Sequence, residues 1–350
     1  MLFRSESGGN QIVVVGLRRA DRLQDTPASI TAFDSQAITN AGIDKPADFI
    51  NLTPNVNLVE TQNVGNAFIV IRGITQARNS EPSVAVVIDG VQQVNPAQFN
   101  QDLFDIQQIE VLKGPQGALY GRNAIGGAII ITTKQPSDQL EGNVTVGVDN
   151  GFGYYTHAGL SGPLSDNVKF RLSGLYKHSD GYIENPYLGR KADPYKDLAL
   201  RGNLLFDLGG GFDLDLRASM DHTRATGFWY NIVGDVNDTS LPVRVNNEGI
   251  DNRDIYNVSG KLTYRGDGFT VTSVTSYDTV SEIITGDAFD FLPINEAYCA
   301  QPSDPCFSGS HDLNQSQYLD VKAFSQELRF ESPANEKLFW MFGGYLIATD

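Results

Sequence analysis

From about residue 141 onward the chain alternates. Phe212, Leu214, Leu216, Ala218 and Met220 are separated by Asp213, Asp215, Arg217, Ser219 and Asp221. Tyr256, Val258, Gly260, Leu262 and Tyr264 are separated by Asn257, Ser259, Lys261 and Thr263. Phe170, Leu172, Gly174 and Tyr176 repeat the pattern with Lys169, Arg171, Ser173 and Lys177. A period of two gives each strand one apolar and one polar face. About nine such strands are expected, centred near residues 146, 157, 172, 202, 216, 260, 273, 325 and 343. After a tight hairpin at Asn150-Gly151, short turns fall near Gly162-Pro163, Gly209-Gly210-Gly211, Gly266-Asp267-Gly268 and Ser332-Pro333-Ala334-Asn335. Between them lie longer loops, at 178–196, 224–252 and 284–318. In an antiparallel meander this alternation puts short turns at one rim and long loops at the other, the layout of outer-membrane barrels. Aromatic residues gather at strand ends (Tyr154, Tyr155, Tyr176, Phe228, Trp229, Tyr230, Tyr264, Tyr277, Phe339, Trp340), where a membrane barrel places its girdles. The competing reading is a soluble β-sandwich, such as a surface binding or adhesion protein, with these aromatics in its core.

The first 133 residues have another texture. Asp34 or Ser35 can cap a helix that runs through Asn40 and is stopped by Gly42. Pro46 opens a second helix to Leu52. Then come four β-prone stretches: Phe68–Ile71, Val84–Ile88, Ile109–Leu112 and Ala128–Thr133. Several are continuous apolar runs, as in strands buried on both faces. This predicts an α+β domain of about 110 residues.

Composition narrows the function. The chain has 350 residues, 42 acidic against 26 basic, and a formal charge of −16, with no Lys/Arg run. Nucleic acid is therefore not an expected partner. No apolar run reaches the length of a membrane helix, but short alternating strands escape that test. The start, Met1-Leu2-Phe3-Arg4-Ser5-Glu6, lacks the apolar core of an export signal. Cys299 and Cys306 sit in one polar, Pro-rich loop. They are either free thiols or a local disulfide, and with only His311 nearby no metal site is expected. His157, His178, His222 and His311 are far apart, and neither H-E-x-x-H nor G-x-S-x-G occurs. No catalytic constellation is present, so neither an enzyme nor a cofactor is expected.

The most specific stretch runs from Ile109 to Lys134: Ile-Glu-Val-Leu-Lys-Gly-Pro-Gln-Gly-Ala-Leu-Tyr-Gly-Arg-Asn-Ala-Ile-Gly-Gly-Ala-Ile-Ile-Ile-Thr-Thr-Lys. Its glycines permit sharp turns, and it lacks the grammar of a phosphate loop. With Asp25-Thr26-Pro27-Ala28-Ser29-Ile30, Ile71-Arg72-Gly73-Ile74 and Ile88-Asp89-Gly90-Val91, it resembles the plug domain of TonB-dependent outer-membrane receptors. The resemblance is close over residues 11–134; later segments such as Ser325-Gln-Glu-Leu-Arg329 match only in layout and short motifs. It implies an N-terminal segment (1–24), a plug (25–135) and antiparallel transmembrane β-barrel strands (136–350). It also implies import of a scarce solute, first of all a ferric siderophore, in the outer membrane of a Gram-negative bacterium. A non-iron nutrient, such as an oligosaccharide or cobalamin, is the alternative.

The resemblance also assigns residues. Ile12, Val13, Val14, Val15 and Gly16 resemble the TonB box, an exposed β-prone handle that pairs edge to edge with TonB. Arg72, Gly73, Asp89, Gly90, Glu110, Lys113, Gly114, Tyr120, Gly121, Gly126 and Gly127 carry the plug motif. The family pairs plug arginines with barrel glutamates. Arg72 and Glu327 are the expected pair here, and Lys113 replaces an Arg found in many relatives, losing its bidentate fork. Amide-rich plug loops are expected to face the ligand, with Asn63, Arg78, Gln92, Asn95 and Gln98 as candidates. The loop 284–318 holds Asp287, Asp290, Glu296, Asp304 and Asp312 with no Lys or Arg, so it offers no basic funnel for an anionic chelate. A family barrel has about 22 strands, and at about 23 residues each those need roughly 510. The chain is thus expected to be a fragment, cut at its C-terminus and without its signal peptide.

Overall fold

A computed structural model describes residues 12–18, 21–60, 64–76, 80–228, 243, 245–287, 314–333 and 338–350. The plug part begins with β1 (Val13–Val14) and β2 (Asp21–Arg22), a short antiparallel pair. Next come β3 (Ile30–Asp34), α1 (Ser35–Ala41) and α2 (Pro46–Asn51). The Asp34 side chain accepts Ala37 N–H, and Gly42 closes α1 in the left-handed region, as the sequence predicts. Then follow β4 (Val56–Glu60), β5 (Ala67–Ile71), β6 (Val84–Ile88), β7 (Val91–Gln92), β8 (Ile106–Lys113), α3 (Gly117–Tyr120) and β9 (Gly127–Thr133). Five strands form one sheet in the order β3-β8-β9-β6-β7, with only β6 and β9 parallel; β4 and β5 pair separately. Its core packs Phe49, Ile50, Ile71, Ile109, Val111 and Ile129, all fully buried.

Two motif dipeptides are hairpin turns. Arg72 (φ 50°) and Gly73 (φ 81°) link Ile71 to Ile74 through two reciprocal backbone hydrogen bonds. Asp89 (φ 51°) and Gly90 (φ 93°) link β6 to β7. Positive φ at both central residues is the geometry that suits the twist of a two-residue hairpin.

The second part is a wall of nine antiparallel strands. They are β10 (Glu141–Asp149), β11 (Gly153–Ser165), β12 (Val168–Ser179), β15 (Tyr195–Gly209), β16 (Phe212–Ala225), β17 (Asp251–Arg265), β18 (Thr270–Asp287), β19 (Asn314–Glu331) and β20 (Met341–Thr349). The small hairpin of β13 (Glu184–Asn185) and β14 (Arg190–Lys191) rises from a long loop. All nine expected strands are present. One expected turn moves: Gly162-Pro163 lies inside β11, and the reversal comes at residues 166–167. Pairing with β10 ends at Ser161, so the missing N–H of Pro163 falls on a free edge. The third long loop is shorter than expected, because β18 runs to Asp287 and β19 starts at Asn314.

Adjacent rungs across the wall are chemically opposite. Ser161, Arg171, Asn203, Arg217, Ser259, Ser276 and Ser325 stand in register on consecutive strands. The neighbouring rung reads Leu160, Leu172, Gly202, Ala218, Val258, Tyr277 and Phe324. Polar members of the first are buried (Ser161 1%, Arg171 6%, Ser276 2% exposed), whereas Leu172 is 56% and Val258 60% exposed. A soluble sandwich buries its apolar face; this sheet turns that face outward, which excludes the sandwich reading. Aromatics mark both borders. At the short-turn rim Phe212, Tyr264 and Phe269 cluster, as do Phe330, Trp340 and Phe342; Tyr154 and Tyr176 lie toward the other.

Candidate functional site: the plug–wall contact

The polar face of the wall closes on the plug. Arg171 on β12 donates through Nε to Asp105 Oδ2 at 2.7 Å, and both side chains are buried. Lys177 and the Tyr195 hydroxyl both reach Asp102, each at 3.2 Å. Arg201 on β15 donates to Phe104 O at 2.6 Å and lies 4.1 Å from the Phe104 ring centroid, a cation–π contact. Arg217 on β16 meets Asp89 at 2.6 Å and donates to Thr133 Oγ1 at 2.7 Å. Asp89 in turn accepts Thr133 N–H and its hydroxyl, so the left-handed turn at Asp89 aims one carboxylate at the strand beside it and at the wall.

Farther toward the long-loop rim, Arg253 on β17 is 1% exposed. It donates to Ala97 O (3.1 Å) and Asn100 O (3.3 Å) of the plug and to Thr223 Oγ1 (3.1 Å) of the wall. A Cβ on Gly65 would stand 1.7 Å from Arg253 Nη1, so only glycine lets the plug loop approach. Asp251 accepts Val64 N–H at 3.1 Å. A pocket of about 70 Å³, bordered by Asp89, Thr133, Arg171 and Arg217 together with Ile88, Val91, Ala199 and Met220, lies in the same interface.

The polarity of these bonds corrects the expected one. In this part of the wall, barrel arginines hold plug carboxylates and carbonyls. Glu327 on β19 pairs with Arg18 at 3.3 Å and with Arg329 at 2.7 Å, not with Arg72. Arg72 is committed to its hairpin turn, where its guanidinium lies by Gly114. Lys113 donates to Thr31 Oγ1 at 3.2 Å, a bond inside the plug. Gly114, Gly121 and Gly127 carry positive φ, and Gly126 O accepts Gly114 N–H at 3.0 Å.

The N-terminal segment also departs from expectation. It is not an exposed handle: Val14 is 1% exposed. Buried Glu110 accepts Val15 N–H (2.9 and 3.1 Å) and Gly16 N–H (2.7 Å), and Tyr120 donates to Gly16 O at 2.7 Å. Burial lifts the Glu110 carboxyl above its ordinary value, opposed by those two N–H groups. Burial also pushes the Tyr120 phenol up to about 12, keeping it a donor.

The expected ligand-facing amides behave as turn-formers. Gln98 is 1% exposed and accepts Val94 and Asn95 N–H, while Asn95 caps the turn by accepting Ala97 N–H. Gln92 donates to Arg122 O at 2.9 Å. Asn63, Arg78, Cys299 and Cys306 lie outside the described residues. The residues missed were Arg171, Arg201, Arg217 and Arg253. Each sits in the polar phase of its strand, and a charge at such a lumen-facing position was the signal available.

Residues 22–128 match the model of the TonB-dependent receptor plug domain. A pesticin receptor of Yersinia pestis is 30% identical over 228 residues, 63% of this chain and 34% of that protein. A vitamin B12 transporter of Vibrio vulnificus is 26% identical over 281 residues, 77% of this chain and 42% of that protein. The solved ferric yersiniabactin uptake receptor of Yersinia pestis superposes with a TM-score of 0.79 at 22% identity, over 92% of this chain and 48% of that one. The chain thus spans about a third to a half of the relatives it matches. Residues 22–128 are thus a TonB-dependent receptor plug domain, and the inside-out antiparallel wall that binds it has the fold of the solved uptake receptor.

Proposed function

We propose that the protein imports a ferric siderophore across the outer membrane with energy delivered by TonB. The observation that carries this reading is the chemistry of the plug–wall contact. It is made of ion pairs and hydrogen bonds around a small pocket, with small apolar clusters such as Phe104–Leu175–Ala199. Such a contact seals the lumen at rest yet can exchange its bonds for water when the plug is moved. A continuous apolar interface would offer no such exchange. Residues Ile12–Gly16 are the strand that TonB would pair with, and outer-membrane lipid covers the apolar rungs. The name of the ferric yersiniabactin uptake receptor supports iron as the cargo.

One observation favours a neutral cargo as the second reading. Arg171, Arg217 and Arg253 are already committed to plug partners, which leaves the described lumen little free positive charge for an anionic chelate. The vitamin B12 transporter match fits such a cargo.

The test is uptake. A strain lacking the gene should grow poorly when ferric siderophores are the only iron source. Complementation should restore radiolabelled iron uptake only while TonB is present. Uptake that persists without TonB overturns the energised mechanism. Unchanged iron uptake together with lost cobalamin or oligosaccharide uptake overturns the cargo.

A further inference from the structure

Asp197 on β15 and Asp221 on β16 are wall carboxylates that face the plug, 1% and 4% exposed. Among the described residues neither forms an ion pair. The Thr223 hydroxyl lies 3.2 Å from Asp197 Oδ1 and 3.1 Å from Asp221 Oδ1, while Arg253 donates into the same oxygen at 3.1 Å. A hydroxyl has one hydrogen, so it serves only one carboxylate at a time. Asp197 Oδ2 is buried and meets no donor. The plug covers the pair from both sides. Ala199, Asp221 and Ile255 stand in register; Ala199 packs with Phe104 of the plug and Ile255 with Ala97. Lys177, Asp197, Thr223 and Arg253 form the next lumen-facing rung, and its two ends hold Asp102 and the Ala97 and Asn100 carbonyls.

The cations nearby are committed elsewhere. Lys177 and the Tyr195 hydroxyl both reach Asp102, and Arg201 donates to Phe104 O. Arg253 stands opposite Glu282 of β18, with Asp251 one rung farther on. Asp278 borders the same pocket as Asp221. The plug adds Lys45, 6.0 Å from the Tyr195 ring centroid, and its chain neighbour Asp44. Carboxylates thus already outnumber cations before Asp197 and Asp221 are counted, and a second charge on the pair has nothing to balance it.

We propose that Asp197 and Asp221 form a proton-binding site closed by the plug: the pair shares one proton while residues 97–104 cover it, and gives that proton to water when the plug is displaced. The bond that breaks is one carboxyl O–H. The acceptor is water reaching the pair through the pocket of about 70 Å³ that Asp221 borders, which is large enough to hold it. Reseating the plug reverses the step. The seated form therefore binds one more proton than the displaced form. Seating is strongest in acid and weakens as the pH rises, until the pair is ionised in both forms. The site depends neither on the identity of the cargo nor on TonB.

The experiment displaces the plug with urea in the membrane-embedded protein, reads displacement by protease protection, and repeats this from mildly acid to mildly alkaline pH. Over the interval in which the pair ionises, the displacement constant of the wild type should rise about tenfold per pH unit more steeply than that of Asp197→Asn or Asp221→Asn. An amide at either position keeps the shape and donates to the remaining carboxylate, so the proton is no longer needed. The two variants are made separately, so that one which loses its plug without urea leaves the other to decide. Wild-type and variant curves that run parallel overturn the site. A second reading needs neither variant. Displacing the plug at neutral pH in weakly buffered solution should release about one proton to an indicator dye. The count is made in a Glu110→Gln background, which takes that buried plug carboxyl out of it. No proton released overturns the proposal.

Discussion

In β9 of the plug, Ile129, Ile130 and Ile131 are all buried, at 0%, 6% and 2% exposure. In β16 of the wall the buried residues are Asp215, Asp221 and Thr223, while Leu216 between them is 38% exposed. Both segments are extended backbone with the same period, and both are fully hydrogen-bonded to neighbouring strands. They differ in what lies on each side. The plug strand has protein core on both faces, so its sequence runs apolar without alternation. The wall strand has lipid on one face and the plug on the other, so it alternates and buries its charges. Contact between two such parts is made mainly by charges, because the wall keeps most of its apolar side chains for lipid.

The sharpest way to break that contact is to remove one charge. Arg171→Ala leaves the buried Asp105 carboxylate without the guanidinium it pairs with. Stranding one member of a buried pair costs about 3–5 kcal/mol. Protease resistance of the plug in the membrane-embedded protein should fall to lower urea concentration. Arg171→Ala with Asp105→Ala should recover a measurable part of the loss, and strict additivity would show that the pair is not coupled.

A second prediction separates the two kinds of apolar surroundings. Lipid yields to added volume and a packed core does not. Val111→Phe, at a site 0% exposed in the plug core, should cost about 1–3 kcal/mol by overpacking. Val258→Phe on the outer face should be close to neutral. Val258→Arg at the same place should cost about 2–4 kcal/mol if that face lies in the bilayer core, measured by folding into liposomes. A neutral Val258→Arg would mean that the rung is wet.

Much of this was legible in the residues, for reasons that also mark the limit. Period two is local, so the nine wall strands and their rim asymmetry follow from neighbours along the chain. The helix bounds follow from Asp34, Gly42 and Pro46, which act within one turn. The Arg-Gly and Asp-Gly pairs are local too, since each sets its own hairpin. What sequence could not pair was Asp105 with Arg171 or Glu327 with Arg18, which lie 66 and 309 residues apart and meet only when the wall curves round the plug. Gln98 misled for a related reason. An amide in a loop reads as a ligand group, but this one spends its oxygen on Val94 and Asn95 N–H. Val13 and Val14 read as a free edge because nothing in their own stretch announces Glu110.

The smallest effect contrasts two buried plug carboxyls, one facing a wall cation and one facing only N–H groups. Burial raises the Asp105 carboxyl, but the Arg171 hydrogen bond and charge outweigh it and hold the group below its ordinary 3.8. Its stabilisation is present above pH 3.8 and is lost as the pH falls through the lowered value. Glu110 runs the other way. Its carboxyl is lifted above the ordinary 4.5, so the folded plug binds that proton more tightly than the unfolded chain does. That contribution is complete below pH 4.5 and fades as the pH rises through the lifted value. Glu110→Gln removes the titration while nearly preserving shape. The urea midpoint for plug protection should therefore move in favour of the Gln variant, relative to wild type, as the pH rises from below 4.5 to neutral. The Arg171→Ala variant should show its deficit at neutral pH and lose it only in acid, where Asp105 is protonated. Parallel curves for wild type and Glu110→Gln across the whole range would mean that Glu110 is solvated, and the contrast between the two carboxyls would disappear.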